Sequence, residues 1–181
     1  MKNILIINGS LRKNSFNQQL AQEAAKLLEH TSTITYLNIR ELPFMNEDIE
    51  FPAPASIQKI RNEIKKADGL WIFTPEYNGQ IPGVLKNALD WLSRGEIARD
   101  RSSCVIINKP VTISSAAGRS AGINARKSLY QLLNNMSMNV IYSEGTGIVL
   151  DKEAFITGKL KLSEQDLIAL SKQAETFYHH I

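Results

Sequence analysis

The chain of 181 residues is 43% hydrophobic and 22% charged, which excludes a disordered protein and allows one domain with its own core. The net charge of +3 comes from scattered basic residues, so we expect no nucleic-acid partner. The single cysteine cannot form an intrachain disulfide, which is typical of a protein in the reducing cytoplasm. The apolar runs are too short for a signal peptide or a membrane span. We therefore expect one cytoplasmic domain over 1–181.

Strand-like and helix-like patterns alternate along the first half of the chain. Short apolar runs rich in β-branched residues predict buried strands, and apolar residues at helical spacing predict amphipathic helices. Strands are predicted at 3–7, 33–37 and 69–73, and helices at 16–29, at about 57–64 and at 82–92. The segment 40–55, rich in proline and acidic residues, is predicted to be a loop, and its role stays open.

The second half continues the alternation after an ambiguous segment at 94–109, where CVIIN fits either a strand or a packed loop. Further strands are predicted at 110–114 and 138–142, and helices at 121–134 and 163–178. Five strands separated by helices predict an α/β, flavodoxin-like fold with a five-stranded parallel sheet and helices on both faces. Ligands bind such sheets at the carboxyl ends of the strands, so the loops after strands one, three and four form the candidate site.

The loop after the first strand reads NGSLRKNSFN and lacks both the dinucleotide fingerprint G-x-G-x-x-G and the P-loop pattern. It places Ser10, Arg12, Ser15 and Asn17 between a strand end and a helix start. Hydroxyl groups, a guanidinium and free N–H groups at a helix N-terminus are the donors that a terminal phosphate needs. The alternative, that Ser15 only caps the helix and Arg12 is only solvated, stays open.

The loop after the third strand, TPEYNGQ at 74–80, is stiffened by Pro75 and Pro82, while Gly79 permits an unusual backbone geometry. A flat heteroaromatic ring would suit this loop. Backbone N–H groups would bond the polar edge of the ring, and Tyr77 would lie near one face. The alternative is a rigid connection in which Tyr77 merely packs.

The loop after the fourth strand, SSAAGRSAG, is made of small residues that let a backbone approach a flat ligand. Ser115 and Gly118 lie nearest the strand end. The alternative is a simple turn in which Ser120 caps the next helix. Taken together, the three loops favour a ring with a phosphorylated tail.

The stretch PEYNGQIPGVLKNALDW closely resembles the signature of the NADPH-dependent FMN reductase family, which includes azo, quinone and chromate reductases. GSLRKNSFN before it resembles the phosphate loop of that family, and SSAAGRSAG after it resembles the third loop, so the resemblance covers essentially the whole chain. It implies FMN as the cofactor. The cofactor-binding residues that it implies are Ser10, Arg12, Ser15, Phe16, Asn17, Pro75, Glu76, Tyr77, Asn78, Gly79, Ser115 and Gly118.

The resemblance has two further consequences. The first concerns positions that depart from the family pattern, and the second concerns self-association. Many members have a serine where this chain has Gln80, and a pair of glycines where it has Ala117-Gly118. Members form homodimers or homotetramers, and the resemblance implies that the helix 82–92, with Trp91 at its end, takes the interface role.

No side chain in these loops predicts a nucleophile or a metal site. His30, His179 and His180 are interpreted as solvated surface residues and Cys104 as structural. The expected site therefore has no catalytic side chain and no metal: bound FMN carries the chemistry, and Tyr77 shapes the substrate slot.

The expected activity is a ping-pong transfer of two electrons from NADPH or NADH, through FMN, to a small acceptor. Quinones, azo dyes, nitro compounds, chromate and free flavin are all candidate acceptors, and the sequence does not choose among them. The alternative hypotheses are a flavodoxin-type electron carrier without a nicotinamide site and a regulatory flavin-binding domain without turnover. Carriers are typically acidic, whereas this chain is basic, which favours the reductase.

Overall fold

A computed structural model describes residues 1–142 and 144–181. The strands are β1 (Lys2–Asn8), β2 (Ser32–Leu37), β3 (Gly69–Phe73), β4 (Pro110–Ala117), β5 (Asn139–Val140) and β6 (Thr146–Val149). The helices are α1 (Phe16–Leu28), α2 (Ala55–Lys66), α3 (Gly83–Leu92), α4 (Ile123–Asn135), α5 (Lys152–Thr157) and α6 (Glu164–His179).

The strands form one parallel sheet in the order β2-β1-β3-β4-β5, with β6 also paired to β4. Because β1 pairs with both β2 and β3, the strand order reverses direction beside β1, as in a doubly wound sheet. The predicted flavodoxin-like architecture is confirmed.

The strand predicted at 138–142 is wrong in its extent. Two short strands share that edge of the sheet: β5 pairs with the start of β4, and β6 pairs with its end. Between them the backbone leaves the extended conformation, since Tyr142 and Gly145 have φ values of 59° and 61°. The strand β4 also runs three residues beyond the predicted end at Ser114, to Ala117, which gives β6 its partner.

Two apolar cores lie on opposite faces of the sheet. Along β1, Leu5 and Ile7 pack into the core formed with α2, α3 and α4, whereas Ile4 and Ile6 pack into the core formed with α1 and α6. This alternation buries both faces of a central parallel strand and produces the three-layer arrangement.

The segment that the sequence left open, 94–109, is a packed loop with a short 3₁₀ turn at Arg101–Ser103. Cys104 is buried, and its thiol donates to the carbonyl oxygen of Leu92 at 3.1 Å. Among the described residues, no helix combines the length and the apolar character that a membrane crossing requires.

Trp91, at the end of the helix for which the resemblance implies an interface role, has its side chain inside the single chain. The indole is fully buried, and its Nε1 donates to the carbonyl oxygen of Pro43 at 2.8 Å. The outward side of α3 instead carries Gly83 and Lys86, and Lys86 pairs with Asp90 at 2.7 Å.

Candidate active site

A groove lies at the carboxyl edge of the sheet, where the loops after β1, β3 and β4 meet. Residues expected from the sequence that line it are Ser10, Arg12, Ser15, Phe16, Asn17, Pro75, Tyr77 and Gly118. The structure thus brings the three predicted loops to one place. Glu76, Asn78, Gly79 and Ser115 belong to the same loops but do not line the groove.

The loop between β1 and α1 is held mainly by hydrogen bonds between near neighbours. Two contacts come from further away: the N–H of Gly9 donates to the Phe73 carbonyl oxygen at 2.8 Å, and Arg40 Nη2 donates to the Leu11 carbonyl oxygen at 3.0 Å. The Ser15 hydroxyl oxygen accepts from the N–H of Gln18 at 3.2 Å and so caps α1. The Ser10 hydroxyl oxygen accepts from the N–H of Arg12 at 3.3 Å, and the N–H of Ser10 donates to Asn8 Oδ1 at 3.1 Å. The first turn of α1 contains no acidic residue, so the positive end of the helix dipole is not neutralised there.

Arg12 is exposed at the mouth of this loop. Its guanidinium carbon lies 4.8 Å from the centroid of the Phe16 ring, a cation–π arrangement that restrains the side chain. Within 1–142 and 144–181, no carboxylate forms an ion pair with it. The charge of Arg12 is therefore available to an anionic ligand.

Asn17 lines the groove and also makes a long-range contact behind it. Its amide is buried, donating to the Ala116 carbonyl oxygen at 2.9 Å and accepting from the Ala116 N–H at 2.8 Å. Both hydrogen-bonding groups of the side chain are thus engaged in joining the start of α1 to the end of β4. Asn17 shapes the groove wall through this contact.

The loop after β3 closes in a tight turn. Tyr77 and Gln80 exchange N–H···O hydrogen bonds of 2.9 and 3.0 Å, and Asn78 and Gly79 have φ values of 53° and 75°. Positive φ at both central residues is typical of a type I′ turn, for which Asn-Gly is a favoured sequence. Among described residues, the N–H groups of Asn78 and Gly79 donate to no other group, whereas that of Tyr77 is used within the turn.

Glu76 turns its carboxylate toward α4 and away from the groove. It accepts from the Ser120 hydroxyl at 2.8 Å and from the N–H groups of Asn124 at 2.9 Å and Ala125 at 3.0 Å. Burial acts to raise the pKa of Glu76, but these hydrogen bonds outweigh it, so the pKa lies below the ordinary value of a glutamate. Glu76 is a side-chain cap for α4 that fastens the loop after β3 to the loop after β4.

Ser115 braces the loop after β4 from within. Its buried hydroxyl donates to the Ala121 carbonyl oxygen at 2.6 Å and accepts from Arg126 Nη1 at 2.5 Å. Gly118, by contrast, lines the groove, and a Cβ atom added there would meet nothing within 4 Å. The groove wall is therefore open at Gly118.

The family model described as NADPH-dependent FMN reductase matches residues 2–148. The chain belongs to the NADPH-dependent FMN reductase family. A 2-hydroxy-1,4-benzoquinone reductase of Burkholderia sp is 45% identical over 91 residues, which is 50% of each chain. A quinone reductase of Pseudomonas putida KT2440 is 32% identical over 162 residues, covering 87% of this chain and 86% of the relative. The solved structure of FerB, a flavoenzyme NAD(P)H:(acceptor) oxidoreductase from Paracoccus denitrificans, superposes with a TM-score of 0.83 at 25% identity over 99% of both chains.

Gln80, where many NADPH-dependent FMN reductases have a serine, makes a contact that the sequence did not predict. Its Oε1 accepts from the Ser128 hydroxyl of α4 at 2.6 Å. The turn after β3 is therefore attached to α4 at two points, through Glu76 at the start of the helix and through Gln80 further along it.

The groove also has a wall that the sequence analysis missed. Leu150 and Phe155 line it, and Phe155 belongs to α5, which was not predicted. The local signals were present: Asp151 accepts from the N–H of Ala154 at 2.7 Å as the N-cap, and Gly158 ends the helix with a φ of 69°. This family member therefore builds its groove from four chain segments.

The part of the chain that the structure describes places its three histidines outside the groove. It contains no group of three or more His, Cys, Asp or Glu residues that could hold a metal ion. His30, His179 and His180 are exposed and lie outside the groove lining. What the site offers is a set of hydrogen-bond donors, the Arg12 guanidinium, which forms no ion pair with the described residues, and a tight turn beside an exposed tyrosine.

Proposed function

We propose that the protein is an FMN-dependent NAD(P)H oxidoreductase that passes two electrons from NADPH or NADH through bound FMN to a small acceptor. The observation that carries the proposal is the groove itself, which joins a loop suited to a phosphate with a turn suited to a flat ring. Membership of the FMN reductase family supports the cofactor. The quinone reductases among its relatives favour a quinone as the acceptor, ahead of azo dyes, nitro compounds, chromate and free flavin.

The phosphate end of FMN fits the loop between β1 and α1. A phosphate monoester carries about −1.5 to −2 charges near neutral pH and binds well to a guanidinium, to hydroxyl groups and to a helix N-terminus. Arg12, Ser10, Ser15 and the first turn of α1 supply these groups, and α1 has no acidic residue in that turn. Ser15 accepts a hydrogen bond as the helix cap, which leaves its hydroxyl hydrogen for the ligand.

The ring end of FMN fits the turn after β3. Asn78 and Gly79 lie next to the groove-lining Tyr77 and keep backbone N–H groups that could bond the polar edge of a ring extending past the groove. Such donors would stabilise negative charge on that edge. FMN, when bound, supplies the two-electron chemistry. Tyr77, with 54% of its surface exposed, borders the slot for the nicotinamide and the acceptor. Glu76 and Ser115 support the two neighbouring loops from behind.

Because both substrates need the same exposed face of the ring, we propose that they bind in turn, as in a ping-pong cycle. Initial rates measured with NADPH and a benzoquinone, both varied in the presence of FMN, should then give parallel double-reciprocal lines. Intersecting lines would contradict the shared slot. A protein that binds FMN yet oxidises neither NADPH nor NADH would instead be an electron carrier or a regulatory domain.

We further propose that the whole chain, 1–181, is one domain that works in the cytoplasm. We also propose that it forms a homodimer or homotetramer through the helix 82–92. The exposed side of α3, with Gly83 and Lys86, would provide the contact in place of the buried Trp91. Sedimentation of the unmodified protein and of Lys86→Glu would test the interface. An unchanged assembly in the variant would count against it.

A further inference from the structure

Phe155 is an aromatic side chain on the groove wall that the described residues cover only in part. It is 60% exposed and shares the groove lining with Arg12, Phe16 and Tyr77. Leaving a phenyl ring in water forgoes the free energy that its burial would release. A large apolar group in that position is expected to gain its burial from a ligand in the groove.

The short helix α5, which carries this side chain, is fixed at both ends. Before the helix, the N–H of Leu150 donates to the Ala117 carbonyl oxygen at 2.8 Å. After it, the Gln19 side chain donates to the Gly158 carbonyl oxygen at 2.9 Å and accepts from the N–H of Leu160 at 2.7 Å. The groove wall formed by α5 is therefore anchored to β4 and to α1.

The ring of Phe155 also contacts the part of the site assigned to the phosphate. It meets the Phe16 ring edge to face, with centroids 5.8 Å apart and an interplanar angle of 83°. Phe16 in turn lies beneath the guanidinium of Arg12. Three side chains thus form one assembly at the start of α1, with a charged end for a phosphate and an apolar end beside it.

We propose that Phe155 is a flavin-binding residue of this chain that packs on the ribityl-phosphate tail of FMN and slows its release. This inference rests on the proposed function. The documented contact with Phe16, at the first residue of α1, places Phe155 beside the tail, whereas the ring is assigned to the turn after β3. With the tail covered, FMN remains a resident cofactor through many turnovers and does not exchange as a substrate.

The test is the dissociation constant of two flavins, FMN and lumiflavin, measured by quenching of their fluorescence, for Phe155→Ala and for Ile156→Ala. Ile156 is the matched control, since it is adjacent on α5, is 85% exposed and does not line the groove. Loss of the apolar contact should weaken FMN binding roughly tenfold in Phe155→Ala. Lumiflavin, which has no ribityl-phosphate tail, should bind the variant as it binds the unmodified protein. Ile156→Ala should bind both flavins normally, and Phe155→Leu should recover part of the FMN affinity.

Three outcomes would overturn the proposal. FMN affinity in Phe155→Ala equal to that of the unmodified protein would show that the ring does not touch the cofactor. An equal loss for lumiflavin would place Phe155 against the flavin ring, and an equal loss in Ile156→Ala would point to a general loosening of α5. If the unmodified protein binds neither flavin, the proposed function itself fails, and this inference fails with it.

Discussion

The loops after β1 and β3 differ in how far away in sequence their hydrogen-bond partners lie. The loop after β1 is fixed mainly by neighbours, as in the hydrogen bonds from Ser10 to Asn8 and from Gln18 to Ser15. Two longer-range hydrogen bonds add to these, from Gly9 to the Phe73 carbonyl oxygen and from Arg40 to the Leu11 carbonyl oxygen. The turn after β3 is fixed by α4, through Glu76 with its partners 44 to 49 residues further along the chain and through Gln80 with Ser128. The side chains within the first loop are therefore held mostly by near neighbours, whereas the side chains of the second are held by a distant helix.

This difference divides the proposed site into two parts that can be perturbed separately. Changes in the loop after β1 should alter binding of the phosphate tail. Changes in the contacts between the turn and α4 should alter binding of the ring, even though those contacts lie outside the groove. Comparing FMN with riboflavin, which lacks the phosphate, separates the two parts.

The largest effect is expected for Arg12→Ala. Hydrogen bonds to a charged group contribute about 1.5–3 kcal/mol, so the dissociation constant of FMN should rise roughly 10- to 100-fold. Riboflavin affinity should be unchanged, and isothermal titration calorimetry with both flavins measures the two values. Lys13→Ala is the control, because Lys13 is the next residue, is exposed and does not line the groove. Equal losses for FMN and riboflavin in Arg12→Ala would contradict its assignment to the phosphate.

Glu76→Ala should lower the free energy of unfolding by about 1–2 kcal/mol, because it removes a charged cap from α4. The same variant should raise the dissociation constants of FMN and riboflavin by the same factor, since it loosens the turn assigned to the ring. Urea denaturation and flavin titration measure the two effects. Glu175→Ala, at an exposed position on α6, is the control. Unaltered stability in Glu76→Ala would show that the cap is energetically unimportant.

The stabilisation by Glu76 should also depend on pH. Its pKa is lower in the folded protein than in the unfolded chain, so the contribution is fully present above the unfolded value and is lost as the pH falls through the folded value. The stability difference between the unmodified protein and Glu76→Gln should therefore be constant near neutral pH. It should shrink once the pH falls below the ordinary glutamate value of about 4.3. Urea midpoints across this range provide the measurement, and a difference that grows on acidification would refute the assignment.

The smallest effect is expected at the second attachment point. Gln80→Ala and Ser128→Ala should each lower the free energy of unfolding by about 0.5–1.5 kcal/mol, the usual contribution of one hydrogen bond. Because the two side chains share that bond, the double variant should lose little more than either single variant. Thermal or urea unfolding of the four proteins completes this double-mutant cycle. Additive losses would indicate that the two residues act independently.

The same contrast explains which features could be predicted from the sequence. The flavodoxin-like strand order and the positions of the three loops follow from local patterns of apolar residues and breakers. The cap formed by Ser15 is also a local interaction, and the sequence analysis named it as one of two alternatives. The Asn-Gly turn and the signals around α5 were equally local, at Asp151 and Gly158, and could have been recognised.

Long-range contacts could not be predicted in the same way. Glu76 was expected only as a cofactor-binding residue, and its carboxylate has partners around the start of α4 that are far away in sequence. Trp91 ends the helix that was expected at an interface, and the sequence did not indicate that the carbonyl of Pro43 accepts its indole N–H inside the chain. The division of the fifth strand into β5 and β6 depends on which part of β4 each one can pair with. None of these contacts can be predicted from a short stretch of residues.

The central claim is that the groove holds FMN and that a nicotinamide can reduce it there. The most direct test is the near-ultraviolet and visible absorbance spectrum of the purified protein loaded with FMN, recorded without oxygen before and after NADPH is added. The account predicts two flavin bands that bleach promptly with NADPH or NADH. Bands that bleach with dithionite but with neither nicotinamide would contradict the reductase, and failure to bind FMN would contradict the site.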